Sequence, residues 1–276
     1  MQPAEAGPVA GRLPFVVLAG ERPGGNALAR ALGVPAGVLA DVAGQTALSR
    51  VLTALRASRR VAGGVLCGPV PDVVASSPEL ERLLAPGDIR WIAPASGPAA
   101  SAVAALDAVD RWPVLLTTGD HALLTGPLVD QFCDLAMGVA ADIVVGLVPY
   151  DCVIAAFPDT RRTVLRFRDG GFCGSNLFLV RTRSGREAIL FWRRVEQLRK
   201  RPWRIARELG VLTLLRYVAG RLSIADALDR VSHRAGCRVG YVPLREARIA
   251  VDVDTLADRD LAARILRGEE QRDART

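Results

Sequence analysis

The chain has 276 residues, half of them hydrophobic, enough for one sizeable domain with appendages or for two small ones, of which one domain is the simpler expectation. A formal charge of +7 points to anionic partners: nucleotides, phosphorylated metabolites, nucleic acid or an acidic membrane surface. Five widely spaced cysteines without a C-x-x-C pair, and only two histidines, argue against a disulfide framework, a zinc centre or a histidine-rich metal site, and Lys200 is the only lysine.

The opening "MQPAEAGPVAGR" lacks the basic start and apolar core of a secretory signal, and no run of about 18 apolar residues follows, so a cytoplasmic location is expected. Leu13 to Ala19 reads as a first buried strand that runs into the loop "GERPGGNALARALGVPAG". Thr46 to Arg59 places Leu48, Val51, Leu52 and Leu55 on one helical face. Val65-Leu66-Cys67 is a second strand, "SSPELERLL" a helix capped by Ser77, "IRWIAP" a third strand and "GPAASAVAALDAVD" an alanine-rich helix. Trp112 to Leu116 forms a strand, "GPLVDQFCDLAM" a helix and Asp142 to Val148 another strand. This alternation predicts a parallel sheet covered on both faces.

After Tyr150 the pattern changes. "TVLRFRDGGFCGSNLFLVR" reads as two strands around a glycine-rich turn, and from Ser184 to about Arg234 the chain is helical and basic. "VGYVPL" and "IAVDVDT" return to strand, and "LADRDLAARILRG" is an amphipathic helix.

Asp120 follows an apolar strand at the point where that strand leaves the sheet, the edge at which open α/β sheets bind ligands. It either caps a turn ahead of the helix near Thr125 or holds a ligand there. The order and spacing of "VVLAGERPGG", "DVAGQTALSRVLTAL", "GPAASAV", "TTGDHALLT" and "VDVDTLADRDLA" resemble the molybdenum-cofactor-guanylyltransferase-like NTP transferase family, over roughly residues 13 to 150 and 238 to 267. Cytidylyltransferases of the isoprenoid and inositol-phosphate type are its relatives. The resemblance implies a Rossmann-like, doubly wound, mostly parallel sheet of the nucleotide-diphospho-sugar transferase type. It also implies transfer of NMP from an NTP, GTP or CTP favoured, with Mg²⁺, to a phosphorylated small molecule or lipid headgroup precursor, releasing pyrophosphate.

Carried onto this chain, the resemblance assigns Ala19, Gly20, Arg22, Gly24 and Gly25 to the triphosphate and Gly97, Pro98 and Ser101 to the base or ribose. Backbone N–H groups of a glycine-rich loop can approach phosphates closely, and Arg22 adds a fork of donors. Asp120 and Asp252 become the Mg²⁺ ligands, with Asp254 the competing choice, and Arg22 and Asp120 the catalytic pair. Thr255 with Asp258 also reads as a capping box. Gly174 and Asn176, in "FCGSNLFLV", are the candidate acceptor contacts.

Two features depart from the family. Relatives carry a lysine a few residues before the "VAG" glycine, where this chain has Gly37; Arg22, Arg30 or a later arginine could supply the charge. Otherwise the chain is a non-catalytic nucleotide-binding or membrane-associated descendant. The second departure is the insertion at about 184–234, in which "FWRRVEQLRKRPWRIARELGVLTLLRYVAGRL" mixes nine cationic residues with Trp192, Trp203, Leu212, Leu214, Leu215 and Tyr217. It is either a basic helix packed by its apolar stripe or a contact for an anionic membrane at the inner surface. Nucleic acid is disfavoured, since aromatics make up 5% of the chain and no known module occurs.

Overall fold

The structure, a computed structural model, describes residues 11–21, 25–197 and 210–273. Among the described residues there are ten strands: β1 (Leu13–Leu18), β2 (Asp41–Val42), β3 (Gln45–Thr46), β4 (Val61–Cys67), β5 (Ile89–Ile92), β6 (Val114–Thr118), β7 (Ile143–Pro149), β8 (Leu165–Phe167), β9 (Gly170–Val180) and β10 (Val239–Pro243). The helices up to the basic insertion are α1 (Ala27–Leu32), α2 (Ala47–Ala57), α3 (Pro71–Ser76), α4 (Pro78–Leu84), α5 (Pro98–Asp107), α6 (Gly126–Met137) and α7 (Tyr150–Ala156). Beyond it come α8 (Arg186–Gln197), α9 (Val211–Val218), α10 (Ile224–Ala235) and α11 (Leu256–Asp273).

The main sheet has the order β10-β7-β9-β6-β1-β4-β5, with β8 paired to β9. Neighbours are parallel except around β9, which runs antiparallel to both β6 and β7. Side-chain alternation explains why both faces are covered. Phe15 and Val17 of β1 join Leu48, Leu52 and Leu55 of α2 and Phe132 of α6 in one core cluster. Val16 points the other way, into a second cluster with Ala102 and Leu106 of α5 and Ile189 of α8. The doubly wound, mostly parallel architecture is therefore the direct result of apolar residues at successive positions, as the sequence predicts.

Local signals also match. Thr46 caps α2 by accepting from the Ser49 N–H (3.2 Å), and Ser77 caps α4 through the Leu80 N–H (3.3 Å). At α11 the capping box is complete: Thr255 Oγ1 accepts from the Asp258 N–H, and Asp258 Oδ2 accepts from the Thr255 N–H at 3.0 Å.

Two differences from the sequence reading follow from tertiary context, whereas the packing of α8 and α10 in the insertion agrees with it. "IAVDVDT" is not a strand: Ala247–Ala250 form a 3₁₀ turn and 251–254 are irregular. The alternation of valine and aspartate is real, but its ladder bond is a single one, from the Val253 N–H to the Asp120 carbonyl (3.0 Å). The loop after β1 contains a helix, α1, because Asn26 caps it by accepting from the Leu28 and Ala29 N–H groups. In the basic insertion, Phe191 of α8 packs with Ala235 at the end of α10, and Ile224 of α10 packs with Phe172 and Tyr241, so these helices are covered by their apolar stripes.

A carboxylate-lined edge of the sheet

Strands β1, β4 and β6 end together, with Leu18 opposite both Cys67 and Thr118. The Ala19 N–H then donates to the Cys67 carbonyl and the Gly119 N–H to the Leu18 carbonyl, each at 2.8 Å. Ala19-Gly20 and Gly119-Asp120 thus leave the sheet side by side. Gly68 makes this convergence possible. It has φ +92°, and a Cβ there would lie 2.6 Å from the Gly20 nitrogen. Arg30 reaches back over the loop, its Nη1 3.0 Å from where a Cβ on Gly25 would be. Arg22 and Gly24 lie outside the described residues.

Asp120 is the centre of this edge. Thr118 Oγ1 donates to its Oδ1, and the bond from Val253 to its carbonyl draws in Asp252 and Asp254, which flank Val253. The Asp120 carboxyl is pushed up to about 7, chiefly by burial, with the charges of Asp252 and Asp254 adding to the rise and the Thr118 hydroxyl opposing it. The two carboxylates that compete in the sequence therefore both act on Asp120. His121, next in sequence, is 1% exposed; burial pushes it down to about 4, against a weak upward pull from the Ile249 carbonyl, so the ring is neutral at pH 7.

Sequence reasoning missed Arg162. Its side chain is 8% exposed and forks between two carboxylates, Nη1 to Asp252 Oδ1 at 2.5 Å and Nη2 to Asp258 Oδ1 at 2.7 Å, with Nε on Thr160 Oγ1 at 3.2 Å. Asp258 thereby serves two partners at once: one oxygen closes the capping box of α11 and the other holds Arg162. Nothing in "DTRRTVL" marks Arg162 over Arg161, because the signal is its burial.

The remaining predicted residues fall at the same edge with different roles. Gly97 and Pro98 start α5, and Ser101 is 4% exposed, its Oγ accepting from the Ala95 N–H at 2.9 Å, so it fastens the loop ahead of that helix. Gly174 and Asn176 do not form a hairpin turn. They lie in a bulge within β9, where the register with β7 shifts between Val145 and Leu147 and Asn176 adopts φ +53°. The ladder between β6 and β9 ends at the pairing of Leu116 with Phe178, and a Cβ on Gly174 would meet no atom within 4 Å.

Gly37 is not simply a lysine lost. Its N–H donates to Glu21 Oε1 at 2.7 Å, and a Cβ would lie 2.2 Å from Asn26 Nδ2, so the space belongs to the residue that caps α1. The lysine restoration suggested by the sequence, Gly37→Lys, is accordingly expected to displace that cap. The loss is about 1 kcal/mol, or roughly 2–4 °C in melting temperature for a chain of this size. Thermal denaturation checks it, and a variant as stable as the parent would contradict the packing argument.

No protein-family model matches the chain, and no curated protein matches it. Among solved structures, a hypothetical transferase from Thermus thermophilus is 32% identical, with a TM-score of 0.74 over 90% of this chain and 99% of that one. This chain belongs to the same family as the Thermus transferase. More distant structures share the fold of this Thermus transferase family. The 4-diphosphocytidyl-2C-methyl-D-erythritol synthase of Anaerococcus prevotii is 12% identical, with a TM-score of 0.57 over 93% of this chain and 99% of its own. A CMP:2-keto-3-deoxy-manno-octonic acid synthetase complexed with CTP is 14% identical, with a TM-score of 0.52 over 94% and 99%. The family thus has the fold of nucleotidyltransferases, with Asp120 at its carboxyl edge.

Proposed function

We propose that this member of the Thermus transferase family is a Mg²⁺-dependent nucleotidyltransferase. It moves NMP from an NTP, GTP or CTP favoured, to a phosphorylated acceptor. One observation carries the reading: Asp120, at the mouth of a glycine-lined loop, shares its surroundings with Asp252 and Asp254 and has its carboxyl raised to about 7. The charges of Asp252 and Asp254 reach Asp120, and the hard carboxylate oxygens of Asp120 and Asp252 suit Mg²⁺. Asp120 and Asp252 would hold the ion, which supplies compensation for the negative charge that develops around the α-phosphate.

The chain's own residues do the rest. The backbone of Ala19, Gly20 and Gly25 approaches the triphosphate, and Arg30 stands over the loop where the family's lysine is absent. Gly174 and Asn176, in the β9 bulge, are the candidate acceptor contacts. An oxygen of the acceptor phosphate forms the bond to the α-phosphorus while the bond to the bridging β-phosphate oxygen breaks, and pyrophosphate leaves. A phosphate monoester is already anionic at neutral pH, so transfer calls for alignment and charge compensation more than for a base.

Thermal-shift measurements with the four NTPs, each with and without Mg²⁺, test this. A ligand at 100 times its Kd adds about 2.7 kcal/mol to native stability, so one NTP should raise the melting temperature only when Mg²⁺ is present. No shift with any NTP and Mg²⁺ sinks the reading. The second reading, a non-catalytic binder, is favoured by the Asn26 side chain occupying the space beside Gly37. It predicts the shift without pyrophosphate release against any phosphorylated acceptor.

A further inference from the structure

Helix α9 differs from the other helices of the basic insertion. Val211, Leu215 and Val218 recur at i, i+4 and i+7 with Leu212 beside them, and they are exposed by 61%, 60%, 77% and 71% respectively. Its inner side is fixed. The Tyr217 ring meets Phe167 edge-on at 5.9 Å, Phe167 lies 6.3 Å from Phe172, and Phe172 lies 6.0 Å from Tyr241 of β10. The Tyr217 hydroxyl also accepts from the Arg166 N–H (3.4 Å), and the Leu222 carbonyl accepts from the Arg168 N–H (2.8 Å). Two anchored sides leave the aliphatic face turned rigidly outward.

Charge says what covers this face. Between residues 186 and 238 the sequence has thirteen cationic and five acidic side chains, a net +8, so the rest of the chain is close to neutral. Arg166, Arg168, Arg216 and Arg221 are exposed around α9, with Asp226, paired with Arg216 at 3.0 Å, and Asp169, which accepts from the Ile224 N–H, the acidic residues among them. A second copy of the chain would bring two such basic rims together, which opposes self-association. The outward side chains are aliphatic, whereas the anchors of protein interfaces are aromatic residues and arginine. Among the described residues no helix is long and apolar enough to cross a membrane.

We propose that the outward face of α9, with its arginine rim, docks the protein on an anionic phospholipid surface. The aliphatic side chains enter the headgroup boundary, roughly 5–10 Å deep, and the arginines meet lipid phosphates. The proposal is independent of the nucleotide reading, since α9 contributes no residue to the Asp120 edge.

The test is co-sedimentation of the full chain with vesicles of phosphatidylcholine alone or mixed with phosphatidylglycerol, at low and high salt. The expected result is binding to the mixed vesicles only, lost as salt screens the charges. Leu212→Ser with Leu215→Ser should weaken it on the order of tenfold. Because both side chains are mostly exposed, the double variant should melt with the parent and keep its NTP-dependent shift. Absence of binding to anionic vesicles at low salt overturns the proposal, as does equal binding by the double variant or equal binding to neutral vesicles. A parent that is dimeric, with a monomeric double variant and no vesicle binding, overturns it in favour of a self-interface.

Discussion

Asp120→Asn is expected to lower Mg²⁺-dependent turnover by on the order of 10²–10³-fold, while making the metal-free protein more stable at pH 8. An amide is a much weaker ligand than a carboxylate, which accounts for the first effect. The second follows from proton binding. The folded carboxyl holds its proton up to about pH 7, because burial and then the Asp252 and Asp254 charges raise it. An unfolded aspartate lets go near 3.9. Between these values the folded chain binds more protons, so its stability is fully present below the lower value and falls as pH rises through the upper one. The amide stays neutral throughout. Parent and variant should therefore melt together below about pH 4, separate progressively as pH rises to about 7 and stay apart above it, by on the order of a few kcal/mol. Adding Mg²⁺ should close the gap from the parent's side. Thermal denaturation in chelator and in Mg²⁺ across this range measures both, and equal Mg²⁺-dependent activity in the two proteins would remove Asp120 from the site.

Arg162→Met should cost about 3 kcal/mol of stability, because removing one partner of a buried ion pair leaves the other uncompensated. Here two carboxylates are left, Asp252 at 32% and Asp258 at 16% side-chain exposure. The variant should gain more stability from Mg²⁺ than the parent does, since the ion then supplies positive charge beside Asp252 where the Arg162 guanidinium stood. Arg162→Lys should recover part of the loss, as a single ammonium cannot span both carboxylates as the planar fork does. Urea titrations with and without Mg²⁺ read these terms. A change below about 0.5 kcal/mol for Arg162→Met would mark the pair as a solvated surface contact.

What was legible in the sequence depended on whether the cause was local. The apolar runs of β1, β4, β6 and β7 and the caps at Thr46, Ser77 and Thr255 are read from neighbouring residues, and the structure matches them. Asp120 stood out because a charge ends an apolar strand. "VDVDT" misled because period-two alternation fits a strand, yet here only the Val253 N–H has a ladder partner. At the β9 bulge the glycines drew attention, whereas the left-handed backbone belongs to Asn176. Arg162 and the Asn26–Gly37 contact were illegible for one reason: each is defined by a residue distant in sequence or by space already filled. Leu212 and Leu215 could be read as apolar but not as outward-facing, since direction is set by the aromatic anchors on the other side of α9.

The double duty of Asp258 has a consequence for how the molecule is made. Arg162 waits for partners 90 and 96 residues later in the chain, and one of them is committed to the first turn of α11. During synthesis the glycine loop, Asp120 and Arg162 all emerge before these partners, at a rate of roughly 5–20 residues per second. For several seconds the nascent protein therefore has its glycine loop and Asp120 but not the partners of Arg162. Arg162 is clamped only once Asp252 and Asp258 have been made, and with Asp258 the first turn of α11.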